Sequence, residues 1–196
     1  MNIFHKICSA MVFMMAAFAF AVPAQAADQD NILVLALQNG DVAIQLRPDL
    51  APKHVEQIKK LVREGAYDNV VFHRVIDGFM AQTGDVQYGN KKHGYNAAAA
   101  GTGGSKHGNI PAEFSKEPFR RGTVGMARAQ APDSANSQFF ICFADAPFLN
   151  GQYTVIGTVI KGMDVVDRIK KGDSNNNGAV KNPDAIVKAS LVSEVK

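Results

Sequence analysis

The run Val71-Phe72-His73-Arg74-Val75-Ile76-Asp77-Gly78-Phe79-Met80-Ala81-Gln82-Thr83-Gly84-Asp85 strings a cation, an aromatic ring, a thioether and an amide along a strand pattern, with Gly78 and Gly84 as punctuation. A period of two puts Phe72, Arg74 and Ile76 on one side of an ideal strand, and Gly78 permits a bend before Phe79, Met80 and Gln82. The pattern predicts a guanidinium overhanging an apolar pocket. His73 then faces the opposite side and takes a structural role. A second run, Ser137-Gln138-Phe139-Phe140-Ile141-Cys142, offers a polar entrance and an aromatic interior. By residue type alone, Phe79, Met80 and Phe140 read as plain core and Arg74 as a solvated strand residue.

These runs need elements to hold them. Ile32 to Leu37 and residues 42–46 flank Asn39-Gly40, a strong signal for a two-residue hairpin turn. Pro52 suits a first helical turn, and Val55, Ile58, Leu61 and Val62 recur at helical spacing until Gly65 ends the segment. Strand patterns follow at 70–80, 123–127, 138–143, 154–160 and 186–192, with a second short helix expected over 163–171. Many short strands with Gly and Pro turns, plus two isolated helices, argue for an antiparallel barrel or sandwich rather than alternating βαβ units.

The first 26 residues read as a secretory signal peptide: Lys6 is followed by an almost wholly apolar stretch over 7–22 and by Ala24-Gln25-Ala26, a small-x-small cleavage signal. The apolar run is shorter than the ~20 residues a spanning helix needs, so cleavage before Ala27 is expected, leaving no stable membrane anchor. Residues 27–196 fit one domain with a sizeable core. The net charge of +3 drops by one with Lys6, too balanced for nucleic acid as the main partner. Cys8 leaves with the leader, so Cys142 has no partner for an internal disulfide, and its neighbours Phe139, Phe140, Ile141 and Phe143 favour a small buried hydrophobe.

The two opening runs, together with Gly101-Thr102-Gly103-Gly104, Gly125-Met126-Ala127-Arg128-Ala129 and Phe148-Leu149-Asn150-Gly151, resemble the cyclophilin family of peptidyl-prolyl cis-trans isomerases. The likeness extends from about Ile32 to Val192. It implies a mainly β fold, a closed eight-stranded antiparallel barrel capped by two α-helices. It also implies that Arg74, Phe79, Met80, Gln82, Gly101, Ala127, Arg128, Ala129, Gln138, Phe140, Phe148, Leu149 and Tyr153 fall at substrate-cleft positions, with Arg74 and Gln82 catalytic. Where the best-known eukaryotic pattern has Asn, Trp and His, this chain has Arg128, Phe148 and Tyr153, which looks like the bacterial branch. Isomerase activity survives that comparison, whereas weak cyclosporin binding is expected. The implied partners are proline-containing polypeptides, in a periplasmic setting that follows from the leader.

The implied reaction needs no nucleophile, metal or cofactor. Arg74 is the expected donor to the prolyl nitrogen; Phe79, Met80, Phe140 and Leu149 seat the ring, and Gln82 and the Arg128 main chain bind carbonyl groups. Gln138 orients Arg74 or binds substrate, while Phe148 and Tyr153 form the rim. His93 and His107 lack metal-ligand spacing, and residues 101–106 lack the Walker order of a phosphate loop. The sequence Asp173-Ser174-Asn175-Asn176-Asn177-Gly178 starts like a calcium loop but continues with Lys181, Pro183 and Asp184, so a polar turn is expected. The segment 86–100 looks longer than in compact family members and should lie beside the cleft. A proline-peptide binding module without turnover is the rival from another class; a secreted structural β domain would leave the ordered cleft residues unexplained.

Overall fold

Alternation of buried and less buried residues shapes the first hairpin. Strand β1 (Ile32–Leu37) buries Leu33 and Leu35, and β2 (Gly40–Leu46) buries Val42, Ile44 and Leu46 against the same interior. Leu37 pairs with Gly40, so the turn is Gln38-Asn39, one residue earlier than the Asn39-Gly40 motif predicts. The computed structural model describes residues 29–194; the predicted leader and its cleavage point at Ala27 lie outside the described residues.

Helix α1 (Pro52–Arg63) opens with the expected proline and buries Val55, Ile58, Leu61 and Val62 over the interior. Its C-terminus closes as a Schellman motif, with Ala66 N–H donating to Leu61 O (2.9 Å) and Gly65 N–H to Val62 O (2.9 Å). Ala51 at its N-terminus has no capping side chain. The cap comes from far away: the Glu113 carboxylate accepts from the N–H groups of Lys53 (3.2 Å) and His54 (3.1 Å) and pairs with His54 Nδ1 at 2.6 Å.

Strands β3 (Arg74–Ile76), β4 (Met80–Thr83), β5 (Thr123–Met126), β6 (Phe139–Cys142), β7 (Val155–Lys161) and β8 (Ile186–Leu191) complete one eight-stranded antiparallel sheet. Its order is β3-β4-β6-β5-β7-β2-β1-β8. A short helix α2 (Met163–Asp167) precedes β8. It ends well before residue 171, because Ile169 turns into the core and the Lys170 N–H goes to Asp184 Oδ2 at 2.8 Å.

The expected closed barrel is not formed: the sheet is an open half-barrel, with β3 and β8 at its edges and no ladder between them. The free edge of three-residue β3 is taken by the connection that precedes β8. Val75 N–H donates to Gly178 O (2.8 Å), and the Gly172 N–H donates to Val75 O (2.9 Å). Meanwhile β8 meets the segment before β3, through Asn69 N–H to Ile186 O (2.6 Å) and Ile186 N–H to Val70 O (2.9 Å).

Candidate active site

One hairpin does most of the assembly. The expected strand over 70–80 folds back at Gly78, so β3 and β4 pair antiparallel with Arg74 opposite Gln82 and Ile76 opposite Met80. Gln82 in turn faces Phe140 on β6, and Phe140 faces Gly125 on β5. A single row across four strands therefore presents a guanidinium, an amide and a ring. Gly125 is required at the end of that row: a Cβ there would lie 2.6 Å from both Phe119 and Phe140, whose rings stack with centroids 5.8 Å apart.

The row floors a cleft of about 410 Å³. Its apolar end is made by Phe79, Met80, Phe140 and Leu149, with Phe148 and Tyr153 above them. Phe148 is 61% exposed and its ring sits 5.3 Å from that of Phe79, while Tyr153 meets Phe140 edge-on at 6.0 Å. These contacts fix the seat. Met80 and Cys142 lie opposite each other beneath it, and burial together with Asp145 pushes the Cys142 thiol up to about 12, which leaves it inert as a nucleophile.

The polar side is a directed chain of hydrogen bonds. Arg74 Nη1 donates to Gln82 Oε1 (3.2 Å), Gln82 Nε2 donates to Gln138 Oε1 (3.0 Å), and Gln138 Nε2 donates to the carbonyls of Gly101 (3.0 Å) and Gly103 (2.8 Å). Gln138 thus acts on Arg74 through Gln82. Burial lowers the Arg74 pKa from its ordinary value, opposed by the neighbouring Tyr153, but a guanidinium stays charged at any physiological pH.

Residues 32–191 match the family model described as "Cyclophilin type peptidyl-prolyl cis-trans isomerase/CLD". The chain belongs to the cyclophilin family. It is 62% identical, over the full length of both chains, to a probable peptidyl-prolyl cis-trans isomerase of Brucella suis. It is 38% identical to peptidyl-prolyl cis-trans isomerase B of Escherichia coli, across 80% of this chain and 96% of that one. Among solved structures, a cyclophilin from Hirschia baltica superimposes with a TM-score of 0.72 at 28% identity, covering 86% of this chain and 76% of that one. A Cryptosporidium parvum cyclophilin, solved in the presence of the dipeptide Ala-Pro, gives 0.69 at 26% identity, covering 82% and 98%. The protein is a peptidyl-prolyl cis-trans isomerase.

In this cyclophilin the structure brings ten of the expected site residues, Arg74, Phe79, Met80, Gln82, Ala127, Arg128, Phe140, Phe148, Leu149 and Tyr153, around the first cleft. Gly101, Ala129 and Gln138 border an adjoining pocket of about 590 Å³ that shares Gln82, Ala127 and Arg128. The Arg128 side chain folds back as a strut between them: Nη1 donates to Ala129 O and Gln130 O (both 3.0 Å), Nη2 to Gln152 O (3.1 Å), and Cζ lies 4.5 Å over the Tyr153 ring. Asp85 accounts for the placement of the loop beside these pockets. Fully buried, it accepts from the N–H groups of Gln87 and Tyr88 at one end of the excursion and of Gly101 and Gly103 at the other.

Two expectations fail locally. Regular strand geometry starts only at Arg74, so Phe72 does not share its face; it is buried in the interior with Val75. His73 is not opposite the cleft either, because it borders a hollow of about 450 Å³ together with Arg74 and Gln82. Burial lowers its pKa, so it is held neutral. His107 pairs with Glu64 at 3.0 Å. Sequence reasoning missed Gln152 at the cleft, which carries no periodic or motif signal, and Asn177, which bonds Arg74 but sits in the 173–178 run read as a plain polar turn. Among the described residues no group of three His, Cys, Asp or Glu side chains is arranged to hold a metal, and no helix is long and apolar enough to cross a membrane.

Proposed function

We propose that this isomerase is a periplasmic foldase that accelerates rotation about X-Pro bonds in exported polypeptides. The observation that carries the catalytic part is the charged Arg74, bonded to Gln82 at the edge of an aromatic-lined apolar seat. An X-Pro bond rotates against a barrier of ~18–20 kcal/mol, and five decades of acceleration require about 7 kcal/mol. Interactions that strengthen only in the twisted amide supply it. As resonance breaks, the prolyl nitrogen regains lone-pair character and accepts a hydrogen bond from Arg74. Phe79, Met80, Phe140 and Leu149 hold the ring while the acyl side turns, and the Gln82 amide and the Arg128 main chain bind flanking carbonyls.

The exported-client part is supported by the sequence of residues 1–26, with Lys6, an apolar stretch and Ala24-Gln25-Ala26. Clients are proline-containing polypeptides, consistent with the Ala-Pro dipeptide supplied to the Cryptosporidium parvum relative. Tight cyclosporin binding is not part of this reading, since Phe148 lacks the indole N–H of tryptophan. The test is a slow, proline-limited refolding phase of an exported protein, followed with envelope-purified enzyme whose N-terminus has been sequenced. Acceleration by a chain starting near Ala27 is expected. A chain recovered from the cytosol with Met1, or no effect on the slow phase, overturns the reading.

A further inference from the structure

The polar turn after helix α2, which sequence reading treats as a plain loop, reaches the reacting centre. Asn177 stands there in the left-handed conformation, at φ 49°. Its main-chain carbonyl accepts from Arg74 Nε at 3.0 Å, and its Oδ1 accepts from Nη2 at 2.9 Å and from Nε at 3.3 Å. Gln82 takes Nη1 from the other side at 3.2 Å. The guanidinium plane is therefore gripped along two of its edges. Of its five N–H groups, one on Nη2 is left by these bonds, and the second on Nη1 is held only by a weak donation to Met80 Sδ at 3.9 Å, at the floor of the seat.

The grip is anchored to the strand that carries Arg74. Asp173 accepts from Asn175 N–H (2.9 Å) through its carboxylate and from Gly178 N–H (2.8 Å) through its carbonyl, which shapes the turn. Gly178 O accepts from Val75 N–H at 2.8 Å, and a Cβ on Gly178 would come within 2.5 Å of Ile76, so the turn lies flush on β3. Asn177 is therefore tied through Gly178 to the strand that carries Arg74. An amide also holds the fork without neutralising it, whereas a carboxylate would place a counter-charge against the donor.

We propose that Asn177 is a positioning residue that sets the guanidinium plane of Arg74 for the twisted amide. The inference rests on the reading of Arg74 as the donor to the prolyl nitrogen. Held on one side only, a long side chain regains rotamer freedom, and its donor edge no longer waits in the reactive orientation.

The test measures kcat and peptide affinity by protease-free exchange, together with water exchange of the Arg74 Nη2 protons by NMR. Asn177→Gly removes Oδ1 while keeping the carbonyl and tolerating the positive φ. It is expected to lower kcat about five- to tenfold with affinity held within about twofold, and to speed exchange of the Arg74 Nη2 protons, whose acceptor is Oδ1. Asn177→Asp keeps the acceptor and should keep those protons slow. Ser174→Ala, in the same turn but away from the guanidinium, should leave every readout at the parent level. In the Arg74→Ala background Asn177→Gly should have no further effect. Parent-like kcat in Asn177→Gly overturns the proposal while leaving Arg74 in place if Arg74→Ala is impaired. Parent-like kcat in Arg74→Ala removes the donor reading itself. Equal losses of kcat and affinity in Asn177→Gly, or the same losses in Ser174→Ala, would reduce Asn177 to a structural residue.

Discussion

Phe139 and Phe140 are neighbours on β6 and serve opposite sides of the sheet. Phe139 and Ile141 point into the half-barrel interior, with Leu33, Leu35, Ile44 and α1's Ile58; Phe139 meets Tyr67 edge-on at 5.6 Å. Phe140 and Cys142 point the other way, into a smaller cluster with Met80, Phe119 and Leu149 that forms the wall of the cleft. On β4 the same parity sends Ala81 inward and Met80 to the cleft. One period-two pattern thus assigns alternate side chains to the interior and to the cleft. The interior side is sealed by α1, whereas the outer side is left open around a seat.

Breaking the inner side should cost the most. Phe139→Ala is expected to lower unfolding free energy by about 3–5 kcal/mol in denaturant titrations, with peptide affinity unchanged for the folded fraction. Lost affinity at intact stability would merge the two sides.

Glu113 sharpens the same contrast from the helix end. Burial works to raise its pKa, but the bonds from His54 Nδ1 and from the His54 and Lys53 N–H groups outweigh this, and the net shift is downward. A carboxylate with a depressed folded pKa contributes stability above its unfolded value near ~4.3, and that contribution is lost as pH falls through the folded value. Glu113→Gln should therefore cost about 1–2 kcal/mol at neutral pH, flatten the acid limb of the stability profile and leave turnover unaltered. An unchanged acid limb would remove Glu113 as the cap of α1.

On the outer side the expected change is smaller. Phe148→Trp should strengthen cyclosporin inhibition by about 1–2 kcal/mol, the order of one added hydrogen bond plus contact area, while stability and isomerisation stay as in the parent. A parent already inhibited as tightly as the variant would show that Phe148 does not discriminate.

The cleft was largely legible because its residues lie in short runs whose order carries information: Arg74, Phe79, Met80 and Gln82 occupy a single hairpin, and Gln138 and Phe140 a single strand entrance. Parity was legible on β6 but not before β3, where the chain at Phe72 and His73 is not in a regular strand. What the sequence concealed are contacts between distant segments. Glu113 caps a helix whose first turn lies some 60 positions earlier, Asn177 grips an arginine 103 positions earlier, and the Gly178–Val75 bond helps fill the seam where a closed barrel was expected. Such contacts leave no periodicity, since each joins single residues of irregular segments.

In the proposed mechanism Arg74 stabilises the twisted amide rather than the bound peptide. Protease-free exchange of a short X-Pro peptide, measured for the parent and for Arg74→Ala with affinities from the same samples, tests it most directly. Arg74→Ala is expected to lower kcat by about 10²–10³ with affinity changed only a few-fold, the cost of one donor aimed at a developing charge. Undiminished kcat in Arg74→Ala, or a loss confined to affinity, would contradict it.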